Sequence, residues 1–266
     1  MIEIVLAFAV AALIAFLAWK ARALSESGAI AACALGGITV AGGSWNWGVL
    51  LVVFFITSSG LSKLADRARP DHGKIAARGS RRDAVQVMAN GGLPLAFALI
   101  NWFSPNSIWF AGFAAALAAA AADTWATEIG SWSGRPPRMI TTLRPVEAGM
   151  SGAISFPGTL GSAAGAVLIG MLAAVVAPDG LSSTVWLAIA VAVGGLSGSL
   201  VDSLLGATVQ AIYRCPQCES LVESPMHRCG TATILVRGHQ FMNNDVVNFT
   251  AISIGAVITM LLWQFT

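Results

Sequence analysis

The chain has 266 residues, of which 56% are hydrophobic and 11% are charged, and its mean hydropathy is +0.74. These values exclude an ordinary soluble domain and predict an integral membrane protein surrounded by membrane lipids. The net charge is only +2, and we expect no nucleic-acid partner.

Eight apolar runs are long enough to form membrane helices, which need about 20 residues to cross the hydrocarbon core. They lie at residues 2–19, 28–43, 46–61, 84–101, 107–126, 155–177, 184–210 and 246–265. The first run begins at Ile2 without a basic leader, so we expect a retained helix rather than a signal peptide. The predicted fold is an all-α polytopic membrane protein with about eight transmembrane helices, forming a single domain over residues 1–266.

Positive charges divide the predicted loops into two sets. All 15 Lys and Arg residues lie in four segments, at residues 20–27, 62–83, 127–154 and 211–245. Under the positive-inside rule these segments face the cytoplasm, and both termini lie on the non-cytoplasmic side. We therefore expect a bacterial-type plasma-membrane protein whose active site faces the cytoplasm, formed by the loops at 62–83, 127–154 and 211–245.

The first of these loops, "SKLADRARPDHGKIAARGSRRD", holds seven of the basic residues. Such a cluster follows the topology rule, but it would also neutralise a polyphosphate substrate. Lys63 and Arg82, near the two ends of the loop, are candidate phosphate ligands. In the fourth span, Asn90 lies one helical turn after Gln86, where it could bind a cation or phosphate, or join two helices through its amide.

The fifth span ends in "AAADTWATEIG", which carries Asp123 and Glu128. If the helix continues, these carboxylates are about 7.5 Å apart along its axis. Because carboxylates in a membrane helix are costly, they are candidates for a cation site; alternatively, they are helix-end groups hydrogen-bonded to neighbouring helices.

The loop that follows, "SGRPPRMITTLRPVEAGMSGAIS", adds Arg138 and Arg144 as candidate phosphate ligands. Its Gly/Ser turn contains Ser151, and backbone N–H groups in such a turn can bind phosphate. In the seventh span, Asp202 is a further intramembrane carboxylate. At the start of the last span, "NNDVVN" adds Asn244 and Asp245 at the same membrane level.

The last loop contains "CPQCESLVESPMHRCG", with Cys215, Cys218, His227 and Cys229. A C-x₂-C pair followed by H-x-C is typical of a compact zinc site, and reduced thiols are expected on a cytoplasmic loop. The alternative is a loop with spare thiols.

Nearly the whole chain resembles the integral-membrane family called domain of unknown function 92, which includes animal transmembrane protein 19 and the plant phytyl-phosphate kinase. The resemblance lies in an ordered series of motifs: "SKLAD", "RRDAVQVMANGG", "ADTWATEIG", "PPRMIT", "GMSGAISFPG", "DSLLGATVQ", the Cys/His loop and "NNDVVN". The order of "ADTWATEIG" and "ITTLRPVEAGMSG" is also similar to that of acidic and Gly-containing motifs in CTP-dependent polyprenol kinases and phosphatidate cytidylyltransferases. This sequence departs from them by having Thr-Leu-Arg where those families are rich in lysine.

The resemblance implies a kinase that uses a nucleoside triphosphate, with CTP expected, to convert a prenyl monophosphate to the diphosphate. Phytyl, geranylgeranyl and farnesyl phosphate are the candidate acceptors. A CTP-dependent lipid nucleotidyltransferase and a prenyl-phosphate carrier or flippase are the alternatives. Because the acidic residues lie at one membrane interface and the sequence has no repeated halves, the pattern favours an enzyme over a carrier.

We assign each candidate residue a predicted role in this chemistry. The predicted catalytic residues are Asp123, Glu128, Asp202 and Asn90. The predicted substrate and nucleotide ligands are Lys63, Arg82, Arg138, Arg144, Ser151 and Asn244. The predicted Mg²⁺ ligands are Asp123, Glu128, Asp202 and Asp245, and the predicted ligands of a structural Zn²⁺ are Cys215, Cys218, His227 and Cys229.

Overall fold

A computed structural model of the chain describes residues 2–68, 81–177 and 184–265. The described residues form eight α-helices: α1 (Ile2–Lys20), α2 (Glu26–Gly43), α3 (Trp45–Ala68), α4 (Ala84–Phe103), α5 (Ser107–Ser131), α6 (Phe156–Val176), α7 (Thr184–Thr208) and α8 (Asn244–Trp263). They correspond in order to the eight predicted spans. Residues 69–80 of the predicted basic loop lie outside the described residues.

Seven of these helices are long and apolar enough to cross a membrane, and α2 is not among them. It has 18 residues, and its glycines contribute little hydropathy. Even so, α2 runs alongside α4: Gly28 lies against the backbone at Asp83, and Gly42 lies against the backbone of Ala98. The described helices therefore form one membrane bundle with about the predicted number of spans.

Helix α5 is the centre of the bundle. Every residue from 110 to 122 is buried, and the helix packs against α3, α4, α6, α7 and α8. Small residues allow this close packing: a Cβ on Gly195 of α7 would lie 2.7 Å from the Cβ of Ala118. A membrane helix surrounded by other helices is expected to use such small-residue contacts, because close approach maximises van der Waals packing.

The segments predicted to share one face of the membrane do meet at one end of the bundle, called here the loop end. The Lys63 Nζ donates to the carbonyl of Ala21 at 2.6 Å. An Arg237 Nη donates to the carbonyl of Ser151 at 3.3 Å. The first bond joins the segment at 20–27 to that at 62–83, and the second joins the segment at 127–154 to that at 211–245.

At the opposite end, Asn101 Nδ2 donates to the carbonyl of Gly42 at 2.9 Å. Trp186 Nε1 donates to the carbonyl of Leu262 at 3.1 Å, which places the start of α7 beside the end of α8. The C-terminal end of the last helix therefore lies away from the loop end.

Two helices continue five or more residues beyond the ends of the apolar runs that predicted them. Helix α3 ends at Ala68 rather than at residue 61, and α5 ends at Ser131 rather than at residue 126. The predicted loops at 62–83 and 127–154 therefore begin with helical residues, which include Lys63 and Glu128. Hydropathy marks the end of the apolar run, whereas the helix continues until its backbone groups find other partners.

The loops at this end also contain strands that the apolar pattern did not predict. The strands β1 (Arg138–Met139) and β2 (Ala153–Ile154) form an antiparallel pair. The strands β3 (Ile212–Arg214), β4 (Leu221–Val222) and β5 (Ile234–Arg237) form an antiparallel sheet in the order β4-β3-β5.

Candidate active site

Two membrane-embedded carboxyl groups meet between α5 and α7. The side chains of Asp123 and Asp202 share a hydrogen bond. In the orientation that satisfies both ends of its amide, Asn248 donates to Asp202 Oδ2 at 2.9 Å and to the carbonyl of Asn244 at 3.3 Å. Two carboxylates in contact repel each other unless a proton or a cation lies between them. This pair is therefore suited to binding a cation.

A third carboxylate, Glu223, reaches the pair from the loop after β4. The Ser151 hydroxyl and Gln210 Nε2 both donate to Glu223 Oε1, the latter at 3.0 Å. Gln210 Nε2 also donates to the Ser151 hydroxyl at 3.1 Å. The negative charge of Glu223 acts on both Asp123 and Asp202. The loop-end segments thus place an additional acid close to the membrane-embedded pair.

Arg237 in β5 accompanies Glu223. Its guanidinium donates to the carbonyl of Gly206 at 2.7 Å and thereby joins the sheet to the end of α7. Burial lowers the pKa of Arg237, and the negative charge of Glu223 opposes this shift. An arginine stays protonated at any physiological pH, so it supplies a fixed positive charge beside the acids.

Glu128 lies on α5, five positions after Asp123. The Ser62 hydroxyl donates to Glu128 Oε1 at 2.6 Å, so α3 and α5 are joined at this level. The charges of Asp66 and Arg82 act on Glu128, and the charge of Glu128 acts on Asp123. Glu128 thus links the carboxyl pair to an arginine on another element.

Arg82 is held in place by its backbone. Its N–H donates to the carbonyl of Ala23 at 3.0 Å, and its carbonyl accepts from the N–H of Ser25 at 2.9 Å. Its guanidinium lies 5.7 Å from the centre of the Phe54 ring. Burial lowers the pKa of Arg82, and the negative charge of Glu128 opposes this shift. The Arg82 guanidinium is therefore a positive charge held in a fixed position at the loop end.

We call four acids the acidic cluster: Glu128, Asp123, Asp202 and Glu223. Arg82 approaches it at Glu128, and Arg237 approaches it at Glu223. A cluster of carboxylates flanked by fixed arginines can bind a metal ion together with phosphate groups.

An apolar cavity of about 340 Å³ lies between α1, α2, α3 and α4. Its polar groups, Arg82, Gln86 and Asn90, are at the loop end, whereas Val40 and Trp45 line its far end. The Asn90 amide donates to the carbonyl of Gln86 at 3.1 Å. The cavity is therefore an apolar chamber with a cation at one end, and that cation is the one that approaches Glu128.

The four predicted zinc ligands form a second cluster in the loop between α7 and α8. Their ligand atoms all lie within 4.8 Å of one another. Hydrogen bonds with Thr231 and His227 lower the pKa of the Cys229 thiol to about 6. The hydrogen bond between Cys218 and Cys229 raises the pKa of the Cys218 thiol to about 11. The thiolate form is therefore favoured at Cys229 and disfavoured at Cys218.

Comparison with known proteins identifies the family. The family model described as integral membrane protein DUF92 matches residues 9–256. The chain belongs to this family. The resemblance expected from the motifs is thereby confirmed.

Relatives of this DUF92 protein occur in plants and archaea. Protein PGR of Arabidopsis thaliana is 30% identical over 97% of this chain and 95% of its own length. An uncharacterized membrane protein of Methanocaldococcus jannaschii, MJ0933, is 29% identical over 99% of this chain and 95% of its own length. The chloroplastic protein VTE6 of Arabidopsis thaliana is 26% identical over 91% of this chain and 66% of its own length. No solved structure matches the DUF92 chain significantly.

The structure does not gather the four acids that the sequence assigned to Mg²⁺. It joins Asp123 to Asp202 and holds Glu128 against Ser62. Asp245 lies in the first turn of α8. Among the described residues, the Cys/His cluster alone brings three or more possible metal ligands within 4.8 Å. The acidic cluster is therefore centred on a pair of carboxyl groups.

The predicted phosphate ligands lie at several places on the loop end. Arg138 donates to the carbonyl of Leu143 at 2.7 Å, and both Arg138 and Arg144 are exposed. Asn244 begins α8, with its carbonyl accepting from Asn248. Ser151 donates to Glu223 of the acidic cluster, and Arg82 interacts electrostatically with Glu128.

Sequence reasoning missed Glu223, Gln210 and Arg237 as members of the site. Glu223 and Ser151 are 72 residues apart in the chain, so no local spacing connects them. The sequence did contain one indication of Glu223, because this residue lies on the same loop as the predicted zinc ligands, between Cys218 and His227.

Proposed function

We propose that this DUF92 protein is a membrane-embedded kinase. It transfers the γ-phosphoryl group of a nucleoside triphosphate, with CTP expected, to a prenyl monophosphate. The observation that carries this proposal is the apolar cavity that ends at Arg82, beside the acidic cluster. The family resemblance supports a prenyl substrate, and the positive-inside rule favours a cytoplasmic site, where nucleotides are available.

The cavity suits a prenyl chain. Its volume of about 340 Å³ is within the range of small-molecule sites, about 300–1,000 Å³, and its walls are almost entirely aliphatic and aromatic. A phosphate at its loop end would meet the Arg82 guanidinium, whose planar group binds phosphate through two N–H donors. In this arrangement the tail lies in the cavity and the phosphate lies close to Glu128.

The acidic cluster suits Mg²⁺. This ion is usually bound by one or two carboxylates and leaves its other positions to water and substrate phosphates, so Asp123 and Asp202 are a sufficient protein donor set. The Asn248 amide would orient Asp202. Bound Mg²⁺ would neutralise the charge on the nucleotide phosphates.

Transfer itself requires no strong base. An oxygen of the prenyl monophosphate attacks the γ-phosphorus, the bond from that phosphorus to the β–γ bridging oxygen breaks, and a nucleoside diphosphate leaves. The second pKa of a monophosphate is about 6, so the attacking group is largely a dianion at neutral pH. Positioning and charge neutralisation by Arg82, Lys63, Arg138, Arg144 and Ser151 are then the main contributions of the chain.

The test is a transfer assay with purified protein in detergent. The protein is incubated with Mg²⁺, γ-labelled CTP or ATP, and phytyl, geranylgeranyl or farnesyl monophosphate, and the lipid products are separated by chromatography. We expect label in a prenyl diphosphate. The variant Asp123→Asn should lose this product, whereas Glu26→Gln should keep it, since Glu26 is an exposed carboxylate of the same end in the first turn of α2.

Three outcomes would contradict the proposal. Label leaving as pyrophosphate would indicate the lipid nucleotidyltransferase instead. No nucleotide consumption by monodisperse protein would favour the carrier or flippase. Equal activity of Asp123→Asn and Glu26→Gln would remove the carboxyl pair from the reaction.

A further inference from the structure

The Cys/His cluster lies on two adjacent turns of the three-stranded sheet. Cys215 and Cys218 are in the turn between β3 and β4, and His227 and Cys229 are in the connection between β4 and β5. The first turn is closed by the Glu219 N–H, which donates to the carbonyl of Cys215 at 2.8 Å. Each turn therefore presents two possible ligands to the same point.

The sulfur spacing fits one tetrahedral ion. Tetrahedral zinc with bonds of about 2.3 Å to sulfur requires sulfur atoms about 3.8 Å apart. The Sγ atoms of Cys215 and Cys229 are 3.7 Å apart, and all four ligand atoms lie within 4.8 Å of one another. His227 Nδ1 is at hydrogen-bond distance, 2.9 Å, from Cys229 Sγ. All the cysteines are free thiols. The arrangement therefore matches a metal centre rather than a disulfide, whose sulfur atoms are about 2.05 Å apart.

The donor set selects the metal. Three thiols and one imidazole are the ligands of structural zinc sites, in which all four positions are filled by protein. The second ring nitrogen of His227 lies 3.4 Å from the Ser220 hydroxyl, which gives the histidine the outer partner that ligating histidines usually have.

The sheet has only a small apolar core of its own. Its own buried apolar cluster consists of Ala211, Tyr213 and Val222. Segments with so small a core usually depend on a metal or on disulfides. Yet this sheet carries Glu223, whose charge acts on the membrane-embedded acids, and Arg237, which accompanies Glu223.

We propose that Cys215, Cys218, His227 and Cys229 bind one structural Zn²⁺, which fixes the sheet and so holds Glu223 against Ser151 at the acidic cluster. Glu223 lies four positions before His227, so the order of that ligand turn determines where the carboxylate can be. The zinc is a structural element and takes no part in phosphoryl transfer. This inference does not depend on the proposed kinase activity.

The first measurement is the zinc content of the full chain, purified in detergent without a polyhistidine tag or chelator. We expect about one zinc per chain in the wild type. The variant Cys218→Ser should lose most of this zinc, because the substitution removes one ligand. Cys218 is exposed, so the substitution disturbs no buried packing. The matched control Cys33→Ser removes a thiol from α2, outside the cluster, and should keep it.

A second measurement uses the wild-type protein, so its result does not depend on whether the variant folds. Wild-type protein stripped of zinc and loaded with Co²⁺ should show the visible and thiolate charge-transfer bands of a tetrahedral sulfur-rich site. Amide hydrogen exchange over residues 209–243 and 148–155 should increase in Cys218→Ser and stay unchanged in Cys33→Ser. Monodisperse wild-type protein with neither zinc nor the cobalt bands would overturn the proposal, as would full zinc content in Cys218→Ser. Unchanged exchange at 148–155 in the zinc-free variant would overturn the link to Glu223.

Discussion

Replacing Asp202 by Asn should raise the stability of the metal-free protein while removing its activity. Asp202 shares a hydrogen bond with Asp123, and Asn248 donates to its Oδ2. The amide of the Asp202→Asn variant keeps an oxygen for Asn248 and gains an NH₂ group that can donate to Asp123. The substitution therefore removes a charge without leaving an unpaired polar group.

The size of the effect follows from Coulomb's law. Two unit charges about 4 Å apart, at an effective dielectric constant of about 20, repel each other by about 4 kcal/mol. A shared proton relieves part of this repulsion, so we expect a gain of about 1–2 kcal/mol. At about 2–4 °C per kcal/mol, the apparent melting temperature should rise by about 2–8 °C. In the wild type, Mg²⁺ at about 100 times its Kd should instead add about 2.7 kcal/mol.

The assay is thermal unfolding in detergent, followed by the fluorescence of the nine tryptophans, with and without Mg²⁺. We expect the variant to be more stable without Mg²⁺ and to lose the shift that Mg²⁺ causes in the wild type. Glu26→Gln is the control and should behave like the wild type. A fall in the melting temperature of Asp202→Asn, or an equal Mg²⁺ shift in both proteins, would refute the reasoning.

Three further substitutions test the cavity, its arginine and the helix packing. Val10 lines the cavity about 12 Å deeper along α1 than Ala18, so Val10→Phe should raise the KM for a geranylgeranyl acceptor about 10-fold or more and leave a geranyl acceptor unaffected; equal changes would contradict this. Arg82→Ala should lower kcat/KM about 100-fold, a loss of about 2.7 kcal/mol, and a change under about 3-fold would exclude Arg82 as a phosphate ligand. Gly198→Ala should cost about 1–3 kcal/mol of stability in melting experiments, because its Cβ would lie 2.6 Å from that of Ala119; Gly60→Ala, with nothing within 4 Å, is the matched control and should melt no lower than the wild type.

The helices could be predicted from local sequence because a membrane helix must satisfy its own backbone and show apolar side chains to lipid. That requirement explains why the eight apolar runs correspond to α1–α8. It does not define helix ends, since polar residues such as Glu128 stay helical when a neighbour such as Ser62 gives them a hydrogen bond. Hydropathy also underestimates the Gly-rich α2, whose packing against α1 and α4 compensates for its low hydropathy.

The candidate site was predictable only in part. Asp123 and Asp202 stood out one by one, because a carboxylate in a membrane helix is costly without a function. Their contact, however, depends on how α5 and α7 pack through Gly195 and Gly198. Nothing in the spacing of these residues measures that approach.

By itself, the sequence determined the class of protein, the order of the helices, the segments that share one end and the residue types available for chemistry. These are consequences of hydropathy, charge and ligand spacing, which act over one span or one loop. The tertiary structure alone decided that Glu223 and Arg237 join the acids, that Glu128 faces Arg82, and that Arg82 ends an apolar cavity. These contacts join residues far apart in the chain, and they form because burying charged groups requires each to find a partner from another element.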